Sequence, residues 1–311
     1  MTKILNYGSL NIDYVYDVPH FVKAGETLSS LGRNIFAGGK GLNQSIAVAR
    51  AGGQISHFGA VGKDDSKILT DALFENNIDY SHLKYRDDCS GHTIIQVDSN
   101  GQNCILLFGG ANQSLSCEEI DETLENFSNG DFLIMQNETN NLHYMLTKAT
   151  QKGLKCCLNV SPISDSLLKL PLELCYLLIV NEIEAAALSN LSEDSDPYTL
   201  LEVLAQKYPN SSFVLTLGSR GSILKLKDKL AISSLSYKVK AVDTTAAGDT
   251  YLGYLIANLA QGIDAKTAVA KATAAAALAV QVKGAAPSIP HDDEVQDFLN
   301  SHQENIFVDK I

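Results

Sequence analysis

The feature that most limits the possible folds lies between residues 116 and 217, where short apolar runs and amphipathic periods alternate without a break. Ser116-x-x-Glu119 is a capping box that opens a predicted helix over 117–127. A strand over 131–136, a helix over 141–152, Gly153 and a strand over 155–160 follow. After Pro162 and Pro171 come a strand over 176–180, a helix over 182–190, a helix over 197–207 entered through Asp196-Pro197, and a strand over 213–217. Strands separated by helices pair in parallel, because each crossover lays a helix over the sheet and both faces become covered. The expected fold class is therefore α/β, with a doubly wound, mainly parallel sheet and helices on both faces. With 311 residues and 45% hydrophobic content, the chain is long enough to bury one large core.

The first third departs from this rhythm. A strand over 4–9 is followed by alternating segments at 13–18 and 30–37, then by 92–98 and 103–108 around Ser99-Asn100-Gly101, a hairpin signature. These four predict a small separate sheet, giving a single domain over 1–311 with a discontinuous β-sheet lid at 12–37 and 91–109. A helix over 41–51, a strand over 55–61 and a helix over 65–76 lie between the lid segments. Beyond 217, short antiparallel strands are expected over 219–242, and the last helices over 264–282 and 291–301. Ligands of doubly wound sheets sit beyond the carboxyl ends of the strands. Asn11, Gly38–Asn43, Glu138, Asn181, Gly218 and Asp249 all fall at or just after predicted strand ends.

Residues 241–253 carry the sharpest chemical signal. Small residues at Ala246, Ala247 and Gly248 precede a helical pattern with Leu252, Leu255, Ile256 and Leu259 on one face. Such a junction aims unpaired first-turn N–H groups, backed by the helix dipole, at an anion. A carboxylate, Asp249, stands at the same place. It reads either as an ordinary first-turn acid or as a base that takes a proton from a hydroxyl attacking a phosphate. The cluster Gly38-Gly39-Lys40-Gly41 is neither a Walker A loop nor a dinucleotide fingerprint, since Gln44 stands where the third glycine would be. It reads as a flexible connection or as a hinge whose backbone approaches a small ligand. Asn11 and Asp13 share one face of a strand. The net charge of −12 excludes a phosphate-tracking nucleic-acid surface. Six cysteines without metal-ligand spacing read as reduced, mostly buried thiols of a cytoplasmic protein.

Asp243-Thr-Thr-Ala-Ala-Gly-Asp-Thr250 and Gly38-Gly-Lys-Gly-Leu-Asn-Gln44 resemble the two signatures of the ribokinase-like (PfkB) carbohydrate kinases, in the right order and about 200 residues apart. The resemblance runs from Asn6 to about Leu299. It implies an ATP-dependent kinase that phosphorylates the primary hydroxyl of a pentose, D-ribose to D-ribose 5-phosphate foremost. The other acceptors it leaves open are 2-deoxyribose, a fructose-type sugar or a nucleoside, and a non-catalytic sugar sensor is the reading from another class. Asp249 would be the general base, with an anion hole formed by the N–H groups of Ala246, Ala247, Gly248 and Asp249. Asn11, Asp13, Gly39, Lys40, Asn43 and Glu138 match sugar-binding positions. Asn181, Thr216, Gly218, Ser219, Gly221, Gly248 and Thr273 match ATP-binding positions, Thr273 standing where the family often carries His or Asn near the adenine. Asn181 and Glu184 match an element associated with Mg²⁺, although an N-capping Asn with a first-turn Glu reads the same way. Asp243, Thr245, Ala279, Val282, Gly284 and Ser288 match the site of an activating monovalent cation, K⁺. The family also implies a homodimer formed through the lid sheets, where Tyr14, Tyr16, Ile94, Ile105 and Leu107 need a cover.

Overall fold

The computed structural model describes residues 2–302 and 306–308, so the outermost ends of the 1–311 range lie outside the described residues. Its largest element is a nine-stranded sheet. From one edge its order is Ile55–Phe58, Ile4–Tyr7, Phe132–Gln136, Lys155–Asn159, Leu177–Asn181, Ser212–Thr216, Ser222–Lys225, Ile232–Ser234 and Phe307–Val308. The first six run parallel and the last three pair antiparallel. Period-2 alternation divides the apolar side chains between two cores, one on each face. Ile4, Phe132, Ile134, Leu177, Ile179 and Val214 join one cluster, while Leu5, Leu133, Met135, Leu178, Val180, Phe213 and Leu215 join the other. This is why the central strands read as unbroken hydrophobic runs.

The helices begin at the expected capping residues, although Cys117–Leu124 and Ala265–Ala279 each end three residues before the expected 127 and 282. Ser116 accepts from Glu119 N–H and closes the expected capping box at the head of the Cys117–Leu124 helix. Asp196 caps Pro197–Lys207, and Asp264 caps Ala265–Ala279, the alanine-rich helix. One packing contact does most to place the polar residues of the first helix beside Asp249. Helices Lys40–Arg50 and Ala247–Ala260 cross so closely that a Cβ on Gly253 would lie 2.4 Å from the Ala47 Cβ. Only a hydrogen at residue 253 permits this approach, and it brings the first turns of the two helices together.

A second sheet of four strands has the order Gly32–Gly38, Asn11–Asp17, Gly91–Val97, Asn103–Phe108. It is assembled from two distant chain segments, as the alternating patterns anticipate, and Gly101 takes a left-handed φ of +76° in the hairpin turn. Asn11 pairs with both Gly38 and Gly91, and Asp13 with Phe36 and Thr93. Ile105 and Leu107 pair with Ile95 and Thr93, so they share a face with Asn11 and Asp13. Tyr14, Tyr16 and Ile94 occupy the opposite face, so the five apolar residues do not form one patch. The Asn103–Phe108 edge is exposed along its whole length.

Three local expectations are corrected. The 55–61 strand is two strands, Ile55–Phe58 in the large sheet and Ala60–Gly62 paired with Lys84–Arg86, because Gly59 turns its carbonyl to Lys84. Within 219–242 the expected antiparallel strands are Ser222–Lys225 and Ile232–Ser234, and no strand follows between 235 and the Ala247–Ala260 helix. Tyr237 instead packs its ring edge-on against Phe298, and the N–H groups of Val242 and Asp243 bond the Val280 carbonyl. The cysteines divide evenly: Cys156, Cys157 and Cys175 are buried, Cys117 is half-buried, and Cys89 and Cys104 are exposed. Among the described residues no helix is long and apolar enough to cross a membrane.

Candidate active site

Two clefts meet at the first turn of the Ala247–Ala260 helix. The first is a cavity of about 370 Å³ whose lining includes Thr216, Gly218, Ser219, Gly221, Gly248 and Thr273. Six of the seven expected nucleotide positions therefore line one cavity; Asn181 is the exception. The turn at its rim depends on backbone that side chains would block. Gly221 has φ +109°, and a Cβ there would lie 1.9 Å from the Ser234 carbonyl oxygen. Thr273 turns its hydroxyl back to the Val269 carbonyl at 2.8 Å, leaving an apolar wall of Ala276, Ala277 and Val280 beside it.

Ala246 enters the helix in the left-handed region, φ +60°. Ala247 N–H bonds Thr244 O at 3.3 Å, whereas the N–H groups of Gly248 and Asp249 meet no acceptor among the described residues. Space above Gly248 is open, since a Cβ there would touch nothing within 4 Å. Donors of the first turn thus face the cavity with the positive end of the helix dipole behind them.

The second cleft lies on the other side of this turn. Asn43 Nδ2 donates to Asp249 Oδ2 at 3.2 Å, and Gln44 Nε2 donates to Oδ1 at 2.7 Å. Burial drives the Asp249 carboxyl up to about 6, against the pull of Lys40, Gln44 and Asn43 and with Glu138 adding to the rise. Lys40 Nζ stands 3.2 Å from Glu138 Oε1. Burial alone would depress the lysine, but Glu138 and Asp249 outweigh it and its pKa lies above the ordinary value. Ser9 Oγ donates to Glu138 Oε2 at 2.5 Å, and the Lys40 N–H reaches the same oxygen at 3.3 Å.

Asp13 receives the Thr93 hydroxyl at 2.5 Å, and burial pushes its carboxyl up to about 6. Its other oxygen fills the space over Gly38, where a Cβ would come within 1.9 Å. Asn11 accepts from Asn112 Nδ2 at 2.8 Å, which commits its oxygen and leaves its NH₂ as the group on offer. Gly39, with φ +95°, sits over Ser9 and the Asn11 N–H. The structure thus brings Asn11, Asp13, Gly39, Lys40, Asn43, Glu138 and Asp249 together.

The pair expected near a metal is largely committed to the backbone. Asn181 and Glu184 form a reciprocal capping box: Asn181 Oδ1 accepts from Glu184 N–H, and Glu184 Oε2 from Asn181 N–H, both at 2.9 Å. Among the described residues no cluster of three His, Cys, Asp or Glu is placed to hold a metal. One carboxylate oxygen beyond the cap fits an ion that keeps most of its water and rides on substrate phosphates, as Mg²⁺ does, rather than a protein cage. Of the monovalent-cation positions, Asp243 accepts from Thr245 N–H and hydroxyl through one oxygen and from Gly284 N–H through the other. Those bonds tie the 243–245 loop to the segment carrying Ala279, Val282, Gly284 and Ser288. The Ser288 hydroxyl is turned to the Ala285 carbonyl and the Ala279 carbonyl accepts from Val282 N–H.

Sequence reasoning passed over Gln44, Ser9, Thr93, Asn112 and Gln136. Gln44 lies inside a motif already singled out, and its amide was readable only as filler beside Asn43. The others make bonds that span 80 or more positions of chain, and no local spacing announces them.

Comparison with known proteins places this geometry in a lineage. The model of the pfkB family carbohydrate kinases matches residues 1–292. A ribokinase of Haemophilus influenzae is 34% identical over 301 residues, covering 94% of this chain and 96% of its own. A crystal structure of ribokinase from Cryptococcus neoformans var. grubii in complex with ADP superposes with a TM-score of 0.83 at 32% identity, over 95% of this chain and 99% of that one. Ribokinase of Arabidopsis thaliana complexed with ribose and ATP gives 0.84 at 26% identity, over 96% and 98%. An oriented buried carboxylate beside free helix-start donors is thus set in a chain that belongs to the pfkB family of carbohydrate kinases, phosphotransferases acting on a sugar hydroxyl.

Proposed function

We propose that this chain is an ATP-dependent ribose kinase that makes ribose 5-phosphate and ADP. The observation that carries the reading is the shared helix start: Gly248 lines the nucleotide-sized cavity, and Asp249, the next residue, is held by Asn43 in the polar cleft. The acceptor's primary hydroxyl gives its proton to Asp249 while its oxygen lone pair forms the new bond to the γ-phosphorus, and the bond to ADP breaks. The N–H groups of Gly248 and Asp249 stabilise the charge gathering on the transferring group, joined by those of Ala246 and Ala247 if the turn opens to it. Mg²⁺ would supply charge neutralisation on the ATP phosphates, and Asn181 and Glu184 are the residues that would position it. The 243–245 loop and the segment carrying Ala279, Val282, Gly284 and Ser288 would hold K⁺, which would act as an activator.

Sugar recognition is assigned to Asn11, Asp13, Gly39, Lys40, Asn43 and Glu138. Asn43 Oδ1 is buried without a partner, so it is an acceptor that a sugar hydroxyl would satisfy. The Asn11 amide, oriented by Asn112, favours ribose over 2-deoxyribose, because a site built around a hydrogen bond penalises an acceptor that lacks the group. Thr216, Gly218, Ser219, Gly221 and Thr273 hold the nucleotide. The four-stranded sheet closes over the sugar as a lid and excludes water as a competing acceptor. Its exposed Leu106, Phe108 and Ile94 support a homodimer formed through these sheets, which sedimentation would test. A cytoplasmic setting fits the six free cysteines.

The deciding experiment measures ADP release with D-ribose, 2-deoxyribose, fructose and adenosine, with and without K⁺. Ribose should give the highest kcat/KM. A nucleoside preferred over every sugar would overturn the substrate assignment, and ribose binding without ADP release would support a sensor.

A further inference from the structure

Behind Asp249 runs a chain of buried polar side chains that no sugar or nucleotide contact requires. Its donor direction is set at the far end. The Gly8 carbonyl can only accept, so His57 presents Nε2–H to it at 3.2 Å. Complete burial pushes the His57 pKa down to about 4, so the ring is neutral and Nδ1 is an acceptor. Ser45 must then donate its hydroxyl to Nδ1, 2.8 Å away. Asn6 Nδ2 gives one hydrogen to Ser45 Oγ at 2.8 Å and the other to the Gly41 carbonyl at 2.7 Å. That leaves Asn6 Oδ1 facing Gln136. Gln136 Nε2 uses both hydrogens, on Asn6 Oδ1 at 2.9 Å and on Gln44 Oε1 at 2.7 Å. Gln44 is left with only its NH₂ for Asp249 Oδ1. Reversing one amide would set two oxygens against each other among buried groups.

We infer that this relay, with Gln44 and Gln136 as positioning residues, reserves Asp249 Oδ1 as an acceptor, so that the proton taken from the sugar hydroxyl is received at Oδ2. The inference rests on the reading of Asp249 as the base. Oδ2 also accepts from Asn43 Nδ2, at 3.2 Å, but that amide stands outside the relay and its Oδ1 has no partner, so it is free to turn. The Gly8 and Gly41 carbonyls, by contrast, lock the Gln44 donor on Oδ1. Other charged groups around Asp249 are Lys40, which favours its ionised form, and Glu138, which opposes it. In the helix packed alongside, Lys271 is paired with Asp292 and Lys266 lies over the Phe307 ring, so neither competes.

The test follows the acid limb of kcat/KM. Gln44→Met keeps the bulk and removes the donor, and should move the limb upward by about one pH unit with ribose affinity changed less than about threefold. Gln136→Met touches neither Asp249 nor substrate and should move it the same way by less. If both variants fold and the limb stays where it is, the relay is overturned, whatever happens to the melting temperature. Should either fail to fold, nitrogen-15 spectra of the wild-type protein decide: neutral His57 must carry its proton on Nε2, and an Nδ1–H tautomer would sink the relay. Asp249→Asn separates the two claims. Near-normal turnover there removes the base itself, whereas an inactive Asp249→Asn beside unshifted Gln44 and Gln136 variants removes the relay alone.

Discussion

Replacing Asp249 with asparagine should make the protein more stable as it makes it inactive. The unfolded chain ionises this carboxyl near 3.8, whereas burial in the fold raises it to about 6. The folded state therefore holds the proton more tightly. Burial is without electrostatic penalty below pH 3.8, and the penalty grows until pH passes about 6 and stays constant above it. The shift corresponds to about 3 kcal/mol of destabilisation at pH 8. Asparagine has the same shape and no charge, and Asn43, whose Oδ1 lacks a partner, can turn its amide to receive the new NH₂. For a chain of this length a gain of about 3 kcal/mol is roughly 5 °C in melting temperature. Calorimetry without ligands should show that gain at pH 8, shrinking toward nothing near pH 4. Turnover with ribose should fall by roughly a hundredfold to ten-thousandfold. A variant no more stable than wild type at pH 8 would refute the idea that an ionised carboxylate is held there at a cost.

Three further outcomes are expected from the same geometry. kcat/KM for ribose should decline as pH falls through about 6, and more steeply than one proton requires, because Asp13 ionises in the same range; a flat profile down to pH 5 would contradict both assignments. Gly38→Ala drives a methyl group into Asp13 Oδ2 and should raise KM for the sugar about tenfold while leaving KM for ATP within about twofold, in steady-state assays. Gly253→Ala overpacks the helix crossing and should destabilise by roughly 1–3 kcal/mol in urea, with Ala47→Gly on the partner helix restoring part of the loss.

The alternation of strands and helices from 116 to 217 made the α/β layering legible, because periodicity is a local property and the capping residues at Ser116 and Asp196 act within one turn. The second sheet was legible for the same reason, although its register was not: Ile105 and Leu107 had to be paired across a hairpin before their face was known. Of the short antiparallel strands expected over 219–242, Ser222–Lys225 and Ile232–Ser234 form. The chain from Tyr237 onward does not add another, because Tyr237 meets the Phe298 ring and Val239 lines the cavity instead of joining a ladder. Asp249 announced itself through the small residues before it. Gln44, Gln136 and Asn112 did not, since an amide's worth lies in which partner folding places opposite it. Ala247 shows a subtler limit: its N–H bends to Thr244, a turn that no residue type advertises.

The contacts that hold Asp249 bridge 206 and 205 positions of chain, to Asn43 and Gln44. During synthesis the glycine-rich loop and its polar neighbours leave the ribosome long before their carboxylate partner exists. With Asp249 in the proposed role, the nascent polypeptide should stay chemically silent until its last quarter has docked. Under the role proposed for Asp249, a shortened product ending ahead of the Gly253 crossing should show no turnover.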